Sequence, residues 1–256
     1  MISFQLSPSF ARRSAPFLLS LILSVGCTIS SAQNYLKYDQ PLAMAQRTLT
    51  LTPEWTTSGR PQPLADSEVR TTKPLILPRS VWEAKPTSGP LRRHVPIRIT
   101  LHHEASGRAA TLDRPTTRVL ANLQVFSQTK RPWCDVPYHY FVNVDGKIYE
   151  GRDPSIPGDT NTAYDPTGHL LICALGNFEL QTPPKAQLDS IADLMAWSCE
   201  KYGLDPASIS SHRDHALTAC PGRTLFAFVT SGYLEGEVRE RIQQVWGGGK
   251  RTRVQK

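Results

Sequence analysis

The chain has 256 residues, 39% hydrophobic and 20% charged, a balance that supports a packed core and excludes a chain disordered throughout. That length suits one sizeable domain with extensions. A formal charge of +7 and a pI near 9.3 favour acidic surroundings; with no zinc-finger spacing or aromatic stacking signature, nucleic acid is not the expected partner, which leaves an anionic membrane face or a carboxylate-rich cell wall.

Residues 1–32 read as an export signal, with Arg12 and Arg13 ahead of the apolar run Ala15 to Gly26 and the small residues Ser30, Ser31 and Ala32 at its end. Cleavage after Ala32 is the first reading, and lipid attachment at Cys27, which follows Gly26, is the alternative. The expected location is outside the cytoplasm: periplasmic, bound to the cell envelope, or secreted. No other stretch reaches about 18 apolar residues, so the mature chain is expected to have no transmembrane helix and to be a monomer.

From residue 33 to 77 scattered prolines and no sustained period of 2 or 3.6 suggest an extended arm that precedes the fold. Residues 78–232 are regular. Ile97 to His103 is strand-like; Pro115 precedes a helix whose face is marked by Val119, Leu123 and Phe126. Tyr138 to Val144 and Lys147 to Glu150 form a hairpin turned at Asp145-Gly146, and the apolar run Leu170 to Leu175 has the length of a strand covered on both faces.

In the next helix, Thr182 is the expected cap and Pro183 fits the first turn. Leu188, Ile191, Met195, Cys199 and Tyr202 form its buried stripe, and Gly203 stops it. Further helices start near Arg223 and span Leu234 to Trp246, so residues 233–256 are a C-terminal helix with a basic tail ending in Lys250, Arg251, Arg253 and Lys256. Strand, helix, hairpin, strand, helix implies a single α/β domain with a central mixed β-sheet flanked by helices on both faces.

Five cysteines, an odd number, argue against a purely disulfide framework in an exported protein. Cys173 and Cys199 fall on apolar stretches and read as small buried hydrophobes. Cys220 differs. It lies eight residues after His212 in HRDHALTACPG, where Pro221-Gly222 forces a loop able to fold both side chains onto one ion. A catalytic zinc site commonly takes three protein ligands, and the third is sought at the strand end, where His102 and His103 point to opposite faces. Spacing alone leaves open which of the two faces an ion, and whether the pair is merely hydrogen-bonded. Cys220 as a nucleophile paired with His212 is disfavoured, because Pro221 and Gly222 prevent a helix from starting at the sulfur.

Taken together, RSVWEAKP, ITLHHEA, WCDVPYHYFVNVDGKIYEGRD, LLICALGNFE, SHRD and TACPG occur in the order found in the type 2 N-acetylmuramoyl-L-alanine amidases and peptidoglycan recognition proteins, the superfamily of the phage lysozyme-like zinc amidases, which this chain resembles over about 150 residues. The resemblance implies a zinc-dependent amidase that cuts peptidoglycan between N-acetylmuramic acid and L-alanine. It makes His102, His212 and Cys220 the Zn2+ ligands and leaves His103 to the core. Tyr138 matches the tyrosine beside the metal, and Thr218 matches a position that is lysine or threonine in the family; both are expected to be catalytic. If His102 faces the ion, Glu104 shares its side of the strand and is a candidate base, with pairing to a surface arginine as its alternative.

Trp133 and Arg152 are candidates for contact with substrate, Arg152 having a structural ion pair as its alternative. His139 should point away from the metal, His215 reads as exposed loop, and His169 and His94 carry no signal. Two departures stand out: Pro137 replaces a glycine before the motif tyrosine, and GDTNTAYDPTGH differs from the family's usual Gly-Ala-His stretch. The alternative function is a recognition protein that binds peptidoglycan without cutting it; members of that kind usually lack the metal cysteine, which is present here.

Overall fold

The structure, a computed structural model, describes residues 62–89, 91–105, 110 and 112–247. The expected signal with its Cys27 alternative, the first part of the arm and the basic tail after Gly247 lie outside the described residues. At the centre, β2 (Arg98–His103) and β5 (His169–Ala174) run parallel, with His102 beside Cys173 and His103 beside Ala174. Every residue of β5 is buried, as its unbroken apolar run requires of a strand covered on both faces.

On the other side of β5 lies β3 (Tyr140–Val142), antiparallel to β4 (Ile148–Glu150). The turn between them needs Gly146: its φ of 82° is left-handed, and an added Cβ would lie 2.9 Å from the carbonyl oxygen of Ala186. Two short parallel edge strands, β1 (Ile76–Leu77) and β6 (Ile209–Ser211), complete the order β1-β4-β3-β5-β2-β6. The sheet is mixed, as expected.

Alternation along β5 divides the core. Leu170, Ile172 and Ala174 face α2 (Lys185–Tyr202), with α3 (Arg223–Thr230) and α4 (Tyr233–Gly247) contributing Leu225, Leu234 and Val238 to the same cluster. Cys173 and Leu175 face the other way, toward Trp82, Phe141 and Leu120 of α1 (Thr116–Lys130). Each fully buried leucine or isoleucine contributes about 1.5–3 kcal/mol. Both faces are covered.

Three local expectations need correction. The buried stripe of α1 is Leu120, Gln124 and Ser127, while Phe126 is exposed. Gln124 displaces the apolar stripe because its amide bonds both Lys85 and Asp135, so a polar residue faces inward fully paired. The cap of α2 is Pro184, with no side-chain bond, in place of Thr182; Gly203 does end that helix in the left-handed conformation. Residues 62–77, read as preceding the fold, are instead fastened to it. The Leu64 N–H donates to the Lys201 carbonyl, and the Glu200 carboxylate accepts from the N–H groups of Arg70 and Thr71. Backbone bonds of this kind leave no periodic trace in side chains, and the two residues of β1 are too few to show one.

Candidate metal centre

The centre sits beyond the C-terminal ends of parallel strands, the usual place for sites in α/β sheets. At the end of β2 the two imidazoles diverge, as the pleat dictates. His103 turns into the core, where its Nδ1 accepts from the Phe178 N–H at 3.3 Å and its ring stacks on Phe178. His102, 1% exposed, turns the other way, and its Nδ1 lies 3.6 Å from Cys220 Sγ.

His212 follows β6 directly, in a single 3-10 turn fixed by a capping box in which the Ser211 hydroxyl and N–H both donate to Asp214. Its ring centroid is 4.6 Å from that of His102. The loop carrying Cys220 is held from outside by Arg213, whose guanidinium donates to the carbonyls of Thr218 and Ala219 at 3.2 and 2.7 Å. Gly222 then lets the chain pass Phe178: its φ is 89°, and a Cβ there would come within 2.5 Å of the Phe178 backbone. The Cys220 sulfur also accepts from the His103 N–H at 3.3 Å.

One ligand atom from each of His102, His212 and Cys220 lies within 4.8 Å of the others. Tetrahedral zinc with bonds of about 2.0 Å to nitrogen and about 2.3 Å to sulfur would separate N and S by about 3.5 Å, close to the 3.6 Å between His102 and Cys220. The donors therefore fit zinc in kind and spacing. Burial, reinforced by neighbouring imidazoles, holds His102 well below the usual histidine value; burial likewise lowers His212 to about 4, so both rings are neutral with a free lone pair. Burial pushes the Cys220 thiol up to about 12, against the opposing effects of the His103 N–H and the Arg213 charge. Such a thiol ligates by giving up its proton to the metal's field.

Tyr138 packs beside His102 with ring centroids 5.0 Å apart, and burial raises its hydroxyl well above 10, which keeps it a donor. The Thr218 hydroxyl accepts from the Cys220 N–H at 3.2 Å, leaving its own proton available. Glu104 is half-buried, one residue beyond the end of β2. Trp133 is half-buried with Arg131 over its ring.

Arg152 does not serve as a substrate contact. It is 1% exposed, donates to the carbonyls of Val136, Asp135 and Pro157, and pairs with Asp159. A guanidinium spent in this way cannot reach a ligand. His139 points away from the centre, its Nδ1 accepting from Leu171 and its Nε2 donating to Ile156. His215 is half-buried, bonded to Ser210 at 2.9 Å and packed on His169 and Tyr164, so its reading as exposed loop is also corrected.

Sequence reasoning missed Tyr164, Thr160 and Thr162. Tyr164 Oη lies 3.2 Å from His102 Nε2, and Thr162 Oγ1 lies 2.7 Å from His212 Nε2. These residues stand in the stretch that departs from the usual Gly-Ala-His pattern; it has no period, and its run of hydroxyls was the one available signal.

Residues 92–223 match the family described as N-acetylmuramoyl-L-alanine amidase. Peptidoglycan-recognition protein SD of Drosophila simulans is 34% identical over 157 residues, covering 60% of this chain and 83% of that protein. Among solved structures, Drosophila peptidoglycan recognition protein SD superposes with a TM-score of 0.57 at 32% identity, over 62% of this chain and 94% of the other. Peptidoglycan recognition protein-LE, solved with tracheal cytotoxin, a monomeric diaminopimelic acid-type peptidoglycan, gives 0.56 at 26% identity over 61% and 92%.

Proposed function

The chain belongs to the N-acetylmuramoyl-L-alanine amidase family, and from that premise we propose that it is an exported, zinc-dependent amidase that hydrolyses the bond between N-acetylmuramic acid and L-alanine in peptidoglycan. The observation that carries this reading is the meeting of two neutral imidazoles and a cysteine from three separated segments, at distances that suit a tetrahedral ion.

His102, His212 and Cys220 would hold the ion. When bound, zinc supplies Lewis acidity toward a water and toward the scissile carbonyl. The remaining chemistry belongs to the chain. Tyr138, kept protonated by its burial, donates a hydrogen bond to the carbonyl oxygen as charge builds there. Thr218 adds a second donor without a formal charge. Glu104 takes the proton of the attacking water and returns it to the leaving amine of L-alanine, so the stem peptide departs neutral at its new N-terminus. The relatives' name as recognition proteins favours a second reading, in which the same site holds muropeptides without cutting them.

Purified full-length chain loaded with zinc and incubated with purified muropeptides decides between the two. Mass spectrometry should show free stem peptides beginning at L-alanine and muramic acid with a free lactyl carboxyl. Binding without these products would support recognition alone, and cleavage at another bond would refute the assignment.

A further inference from the structure

The imidazoles of His102 and His212 each have a second ring nitrogen, and the two nitrogens meet hydroxyls supplied by one short stretch of chain. Thr162 Oγ1 lies 2.7 Å from His212 Nε2, and Thr160 Oγ1 stands behind it, 2.8 Å from Thr162 Oγ1 and 3.2 Å from the same nitrogen. Two residues on, Tyr164 Oη lies 3.2 Å from His102 Nε2. We propose that Thr162 and Tyr164 are positioning residues that hold both histidines as the tautomer with a proton on Nε2, aiming the Nδ1 lone pairs at the metal. This rests on the zinc reading given above.

A neutral imidazole has one N–H and one lone pair, and whichever nitrogen donates outward leaves the other free to ligate. In His102 the nitrogen nearer Cys220 is Nδ1, so Nε2 must carry the proton, and the Tyr164 oxygen is placed to accept it. In His212 the Nε2–H donates to Thr162, whose own proton passes to Thr160. The acceptors are held firmly. The Tyr164 ring is packed against His169, His212 and His215 at centroid distances of 5.2 to 5.4 Å. His169 is in turn bonded through Nδ1 to the Thr100 hydroxyl at 2.8 Å. At the start of the stretch, Asp159 is paired with buried Arg152, and its N–H donates to the Pro137 carbonyl. The ion pair that removes Arg152 from substrate binding therefore fixes the loop that orients the ligands.

Outer partners of this kind typically alter metal affinity by about 10- to 100-fold. The test is zinc affinity, by competition with a chromogenic chelator, for the full chain and for Thr162→Val, Thr162→Ser and Tyr164→Phe, with the melting temperature of each metal-free protein as a control on folding. Thr162→Val and Tyr164→Phe should each weaken zinc by about 10-fold or more, whereas Thr162→Ser, which keeps the hydroxyl, should stay within about threefold of the parent. Long-range 1H–15N spectra of the zinc-loaded parent should show Nε2 protonated in both histidines. If the parent binds one zinc and Thr162→Val and Tyr164→Phe bind it equally well, or if the proton is found on Nδ1, the positioning role is overturned and the zinc reading stands. A parent that binds no zinc overturns both. Should Tyr164→Phe fail to fold, the Val and Ser pair at 162 decides.

Discussion

The three candidate metal donors and the hydroxyls behind them are built in opposite ways. Each donor is fixed by its own element: His102 by β2, His212 by a capped turn, and Cys220 by a loop that Arg213 clamps from outside. The hydroxyls of Thr160, Thr162 and Tyr164 share one irregular stretch whose anchor is the pair of buried Arg152 with part-exposed Asp159. Strand ends and caps place side chains through backbone geometry; a loop placed to the same precision needs an ionic anchor set in the core. The two layers should therefore fail differently.

The inner layer breaks with the largest effect. Cys220→Ser removes the only sulfur donor, so muropeptide hydrolysis, followed by product mass spectrometry, should fall by about a thousandfold or more with several kcal/mol of charge stabilisation lost. The metal-free fold should survive, as a thermal melt would show. At the anchor the outcome is reversed. Arg152→Ala leaves three carbonyls without their buried donor and part-exposed Asp159 without its partner, and should cost about 3 kcal/mol or more of stability in urea unfolding. An Arg152→Ala protein as stable as the parent would end the view of that pair as an anchor.

A smaller effect separates chemistry from metal binding. Tyr138→Phe should keep its zinc and lose about 100-fold in kcat, the usual result of deleting one donor to a developing oxyanion. Loss of zinc in that variant would move Tyr138 from the chemistry to the frame.

Acid tests the frame rather than the chemistry. Burial lowers His94 to about 4 and His139 to about 3, from an ordinary 6.5. Unfolding lets both rings take up protons, so the unfolded state gains stability once the pH drops below 6.5, and the folded state follows only near the lowered values. Stability should be full above pH 7 and decline progressively from pH 6.5 toward 4. A melting temperature that stays flat over that interval would contradict the neutral, buried state of these rings.

What could be read from residues alone follows the same division. The unbroken apolar run of β5, the period of α2 and the Asp145-Gly146 turn are backbone-determined patterns, and they appear where expected. The candidate ligands His102, His212 and Cys220 lie in segments whose order matches a known superfamily, and the structure brings those segments together. The inward face of α1 was hidden because Gln124 is buried by its hydrogen bonds, a property set by Lys85 and Asp135, both outside the helix. Residues 62–77 were hidden because main-chain bonds to α2 fasten them. The 160–164 hydroxyls were hidden because their meaning depends on which ring nitrogen they meet, a three-dimensional fact.

Elemental mass spectrometry of the purified full chain, before and after dialysis against a strong chelator and in parallel with the muropeptide assay, tests the centre most directly. One zinc per chain should be found, hydrolysis should vanish with its removal and return when zinc is restored. Undiminished cleavage by metal-free protein would contradict the account.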